Sequence, residues 1–181
     1  MKALLIIDMQ KTSFTPKTPR YDTEGVVRRI NLLSDHFRKN NDPVIYIQHD
    51  GSRDGFCKPN TEEWEMLDSL NIDDSDIIVS KTANDSFYKS ELNNILKAKG
   101  IEELVVTGCA TDFCVDSTIK SAFTKDYKIT VISNGHTTGE RPHLKAEKVI
   151  EHYNWMWDEM IPINGKINVV SCNNYMKQSF S

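Results

Sequence analysis

The sequence predicts an α/β fold: three layers, α/β/α and Rossmann-like, around a mostly parallel sheet of about six strands. Three observations carry this. Short unbroken apolar runs recur along the chain, as strands buried on both faces require. Segments with apolar residues at helical spacing separate them. Capping residues stand at several of the junctions. A length of 181 residues suits one domain over residues 1–181, with a substantial core.

The first strand is Ala3 to Ile7, which ends abruptly in Asp8. Val26, Val27, Ile30, Leu33 and Phe37 then mark a helix, with Asp22 or Thr23 available as its N-cap. Val44 to Ile47 is the second strand. The irregular stretch from Asp50 to about Asn60 holds Gly51, Gly55 and Pro59, and loops of that length often line a site. Ile77 to Val79 is the third strand, followed by a helix through Leu92, Ile95 and Leu96 that Gly100 closes. Leu104 to Val106 and Ile129 to Ser133 continue the strand series, with a helix through Val115, Ile119 and Ala122 between them. Pro142 is placed to open a further helix carrying Leu144, Ala146, Val149 and Ile150. Ile167 to Val170 is a weaker sixth strand. The chain shows no internal repeat and no low-complexity tract.

Composition narrows the function. A net charge of −4 argues against a nucleic-acid partner, which needs a basic surface. No apolar run approaches the roughly 20 residues that span a bilayer, so no membrane partner is expected. The opening run in MKALLIIDMQ is too short for a secretory leader and is cut off by Asp8. Cys57, Cys109, Cys114 and Cys172 form no CxxC pair, which fits free thiols and a cytoplasmic location. A small-molecule substrate is the expected partner.

In open parallel sheets, ligands bind beyond the carboxyl ends of the strands. The residues to weigh are therefore Asp8, His49 and Asp50, Lys81, Gly108 to Cys114, and Asn134 to His136. Cys114 stands in VVTGCATDFCVDS, where a strand gives way to a helix and Thr111 can act as N-cap. In a first helical turn, backbone N–H groups and the helix dipole lower a thiol's pKa and can hold an oxyanion. A small buried apolar role for Cys114 is the competing reading. Cys109, nearer the strand, reads as structural. Asp8 and Lys81 close two other strands. Singly each has a plain solvated alternative, but an acid, a base and a thiol at three strand ends can converge on one crevice.

LLIIDMQ, SKTANDSF and TGCATDFCV together resemble the isochorismatase-like, or cysteine hydrolase, superfamily, which also contains the nicotinamidases. The three motifs fall in that family's order across most of the chain. The resemblance implies a catalytic triad of Asp8, Lys81 and Cys114. It also implies a cis peptide between Cys109 and Ala110, and an oxyanion hole from the backbone N–H groups of Ala110 and Cys114. The implied reaction is hydrolysis of a small molecule's C–N bond through a Cys114 thioester. Typical nicotinamidases carry an Asp-x-His metal element with a further histidine a few residues on. YIQHDGSRDGF has His49 and Asp50 in the wrong order and no second histidine, so neither a catalytic metal nor any other cofactor is expected. Gln10, Phe14, Phe87, Phe113 and His136 are the substrate-binding candidates. His49 is expected as a wall residue. Trp64, Trp155 and Trp157 suggest a subunit interface, and family members are often oligomers, so a homo-oligomer is expected.

Other readings share the fold. Vinyl ether hydrolysis, the isochorismatase reaction, is the nearest, but Cys114 favours acyl chemistry. A nucleotide site would need glycines after the first strand, and DMQKTSF has none. A non-catalytic binding or scaffold protein would not need the acid, lysine and thiol together. A redox sensor built on Cys109 and Cys114 is the last alternative.

Overall fold

The computed structural model describes residues 1–161 and 166–178. Six strands form one sheet: β1 (Lys2–Ile7), β2 (Val44–His49), β3 (Ile77–Lys81), β4 (Glu103–Cys109), β5 (Lys128–Thr137) and β6 (Asn168–Val170). Their spatial order is β3-β2-β1-β4-β5-β6, and every neighbouring pair is parallel. Among the described residues, five α-helices cover it: α1 (Thr23–Lys39), α2 (Leu92–Ala98), α3 (Asp116–Phe123), α4 (Ala146–Glu159) and α5 (Cys172–Gln178).

Strand periodicity divides the core in two. Ala3, Leu5 and Ile7 of β1 point to one face, where they meet Leu92 and Leu96 of α2, Ile119 and Ala122 of α3, and Trp157 of α4. Leu4 and Ile6 point to the other, against Val26, Ile30, Leu33 and Phe37 of α1 and Tyr175 of α5. Both faces of β1 are therefore fully buried, which is why its sequence is continuously apolar rather than alternating.

Three junctions differ from the sequence reading, each for a local reason. Asp22 precedes α1, but its carboxylate pairs with Arg29 instead of capping the helix. Pro142 does not open α4. It lies in a turn closed by hydrogen bonds between Arg141 and Leu144, and α4 begins at Ala146. Strand β5 does not stop at Ser133. A bulge lets it re-pair further on, with Val131 opposite Val106 and His136 opposite Gly108. Gly108 itself has φ +121°, and a Cβ there would fall 2.2 Å from the Ile7 carbonyl oxygen. Only glycine lets β4 lie this close to β1.

In this strand order the chain reverses direction across the sheet between β1 and β4. That topological switch point opens a crevice at their carboxyl ends.

Candidate active site

Lys81, the last residue of β3, reaches past the end of β2 into this crevice. Its ammonium donates three hydrogen bonds: to Asp8 Oδ2 at 2.7 Å, to the Ala83 carbonyl at 2.8 Å and to Cys114 Sγ at 3.4 Å. Its side chain is completely buried, so each N–H needs an acceptor, and each has one. Burial opposes the charge, but Asp8 and Cys114 outweigh it, and the lysine pKa lies above its ordinary value. Asp8 follows β1 in the left-handed region, with φ 48°. That conformation is uncommon outside glycine and is found with aspartate more than with most residues. It leaves Oδ1 buried without a protein hydrogen bond among the described residues.

Cys114 does not sit in an α-helical first turn. Residues Thr111–Val115 form one π turn, with the Val115 N–H bonded to the Ala110 carbonyl five residues back. Such turns are often found at functional sites. Thr111 does not cap it, because its hydroxyl is hydrogen-bonded to His136 Nδ1 at 2.9 Å. The Cys109–Ala110 peptide is cis.

The pKa direction at Cys114 also corrects the helix-dipole expectation. Burial first, and the Asp8 carboxylate second, push the thiol well above the ordinary cysteine value, and Lys81 only partly offsets them. The physical reason is charge balance. Asp8⁻ and Lys81⁺ cancel, and a thiolate would add a second anion to a poorly solvated site. The resting group is therefore a neutral thiol beside a carboxylate.

A cleft of about 250 Å³ opens over Asp8 and Cys114, a size for a small molecule. His49 and Phe56 form one wall, with ring centroids 6.0 Å apart, and burial holds the imidazole below its ordinary pKa. Asn84 Oδ1 lies 3.7 Å from the Cys114 sulfur. Arg20, Phe113 and Arg141 also line the cleft.

A family model described as Isochorismatase domain matches residues 2–161. The chain belongs to the isochorismatase family. Among its relatives, "Uncharacterized isochorismatase family protein YddQ" of Bacillus subtilis is 32% identical over 161 residues, covering 85% of this chain and 88% of that protein. "Ureidoacrylate amidohydrolase RutB" of Caulobacter vibrioides is 29% identical over 175 residues, covering 76% of this chain and 77% of that one. A crystal structure described as "Isochorismatase family protein" superposes with a TM-score of 0.86 at 26% identity, covering 94% of this chain and 98% of the other.

Within this isochorismatase-family hydrolase, the structure brings together Asp8, Lys81, Cys114, Ala110, Gln10 and Phe113. Gln10 lines the cleft, but its amide is committed: it donates to the His49 and Trp64 carbonyls and accepts from the His49 N–H. It holds the wall in place. Phe113 is half-exposed, with the Arg141 guanidinium 5.1 Å above its ring. Three candidates lie elsewhere. Phe14 packs on the α1 side of the core. Phe87 is buried in the other core layer, stacked on Tyr127 at 5.8 Å. His136 is buried behind the π turn, between Thr111 and Asn154, with Trp157 edge-on at 5.2 Å. Trp157 is likewise internal and donates to Asp116, which leaves Trp155, at 61% exposure, as the surface tryptophan of the WMW run.

Sequence reasoning did not single out Arg20, Asn84 or Arg141. Asn84 lies inside the SKTANDSF motif, three residues past Lys81, so a signal existed. Arg141 lies in the stretch after β5. Arg20 had no local signal.

His136 has a measurable consequence. Burial pushes its imidazole down to about 4, from an ordinary 6.5. The unfolded chain therefore binds the extra proton first as pH falls. The stabilisation is complete above pH 6.5 and declines toward pH 4, by about 3 kcal/mol in all. Urea melts from pH 7 to pH 4 should show His136→Gln losing correspondingly less stability over that window than the wild type.

Proposed function

We propose that this hydrolase cleaves a C–N bond of a small amide through a thioester on Cys114, with Asp8 as proton shuttle. The observation that carries the reading is the single buried ammonium bonded to both a carboxylate and a thiol. The description of one relative as an amidohydrolase supports the bond type.

The steps follow from the resting charges. As the Cys114 sulfur attacks the carbonyl carbon, its proton passes to Asp8, so the S–C bond forms without a free thiolate accumulating. Lys81 keeps its hydrogen bonds to Asp8 and to the sulfur, and holds the two groups in place while the proton and the bond move. The oxyanion is assigned to the N–H groups of Ala110 and Cys114. Asp8 returns the proton to the leaving nitrogen as the C–N bond breaks. Water then attacks the thioester, passing one proton through Asp8 back to the sulfur, and the carboxylic acid product leaves. The four free thiols support a cytoplasmic location, and exposed Trp155 supports contact with a second copy of the chain.

Ammonia release from a panel of small primary amides, read by a coupled dehydrogenase assay, tests the reading. At least one amide should turn over and Asp8→Asn should stop it. A panel silent throughout, with vinyl ether cleavage instead, would overturn it.

A further inference from the structure

The cleft's charges do not balance, and the imbalance points to the substrate. Asp8 is paired with Lys81. Arg141 is paired with Asp112 through two hydrogen bonds, Nε to Oδ2 at 2.6 Å and Nη2 to Oδ1 at 2.7 Å. Thr138 donates to the same carboxylate at 2.7 Å, which fixes that pair in place. His49 is held neutral by burial, with Lys81 nearby reinforcing it. One cation remains. Arg20 lines the cleft, yet it has no carboxylate partner among the described residues.

Arg20 is nonetheless positioned. Its Nε donates to the Ser13 carbonyl at 2.7 Å, and its backbone bridges Gly139. A Cβ on Gly139 would lie 2.8 Å from Nη1, so the absence of a side chain there makes room for the guanidinium. A guanidinium anchored through Nε in the lining of a cleft keeps its terminal N–H groups as donors, and a guanidinium's planar fork matches a carboxylate's geometry.

We propose that Arg20 is a specificity-determining residue that binds a carboxylate on the substrate, so that the preferred substrates are small amides carrying a second, anionic end. The inference rests on the cysteine-hydrolase reading for the position of the reacting carbon. Arg141, already neutralised and stacked on Phe113, lines the same cleft without supplying net charge.

Two alkylating agents of nearly equal shape test this without knowledge of the substrate. Iodoacetate carries a carboxylate and iodoacetamide does not. Their rates at Cys114, read by peptide mass spectrometry and normalised to glutathione in the same tube, give a ratio in which the thiol's own ionisation cancels. The ratio should favour iodoacetate by about tenfold in the wild type, as one charge-assisted contact implies. It should fall to about one in Arg20→Gln and be largely kept in Arg20→Lys. Gly139→Ala, which crowds the guanidinium, should lower it with Arg20 still present, and thermal melts of each variant establish folding. An equal ratio in wild type and Arg20→Gln overturns the assignment while leaving the nucleophile untouched. A Cys114 that reacts with neither reagent removes the nucleophile reading and this inference with it.

Discussion

Cys114→Ala is expected to lower ammonia release by about 10⁴-fold or more, because the bond-forming atom is gone and the remaining groups can only bind and polarise the substrate. Stability should fall by about 1–2 kcal/mol, because one buried Lys81 N–H loses the sulfur as acceptor. Lys81 keeps Asp8 Oδ2 and the Ala83 carbonyl as acceptors when the sulfur is removed. Steady-state assays and thermal melts on the same preparation separate the two effects. Cys114→Ser should be nearly as inactive. Its hydroxyl still accepts from Lys81, but it is a far weaker nucleophile than the sulfur.

Lys81→Met should be the most destabilising single change at the site. It leaves the Asp8 carboxylate buried without its partner, which costs about 3–5 kcal/mol. For a chain of 181 residues that is a fall in melting temperature of about 10 °C. Adding Asp8→Asn should restore most of that stability, since the second substitution removes the stranded charge. Activity should stay lost in both. Recovery of stability in the double variant, measured by melts at neutral pH, distinguishes charge burial from a packing defect at Lys81. A packing defect would be left uncorrected by Asp8→Asn.

The legible part of this fold is the part governed by burial. Continuous apolar runs announced β1 to β5, since a strand covered on both faces cannot alternate, and the residues ending β1 and β3 proved to converge on the crevice. What escaped the sequence depends on contacts remote in the chain. The β5 bulge falls beside Gly108, where β4 lies close against Ile7 and the register of the next strand shifts. At the π turn carrying Cys114, Thr111 caps no helix and is hydrogen-bonded to His136, remote in sequence. The family resemblance makes Phe87 a substrate-binding candidate, whereas its ring turns into the core against Tyr127. A helix end and a neighbouring lysine both favour a thiolate, but burial and the Asp8 carboxylate outweigh them and push the thiol's pKa up. Arg20 becomes visible only when ion pairs across the whole cleft are matched.

The most direct test of the central claim is acid-quenched peptide mass spectrometry during turnover of an amide that the panel identifies, with hydroxylamine added in a parallel run. The account predicts an acyl mass on the Cys114 peptide that appears before product, disappears as substrate is consumed, and is diverted to a hydroxamate by hydroxylamine. Steady ammonia release with Cys114 unmodified at every time point, and retained in Cys114→Ala, would contradict it.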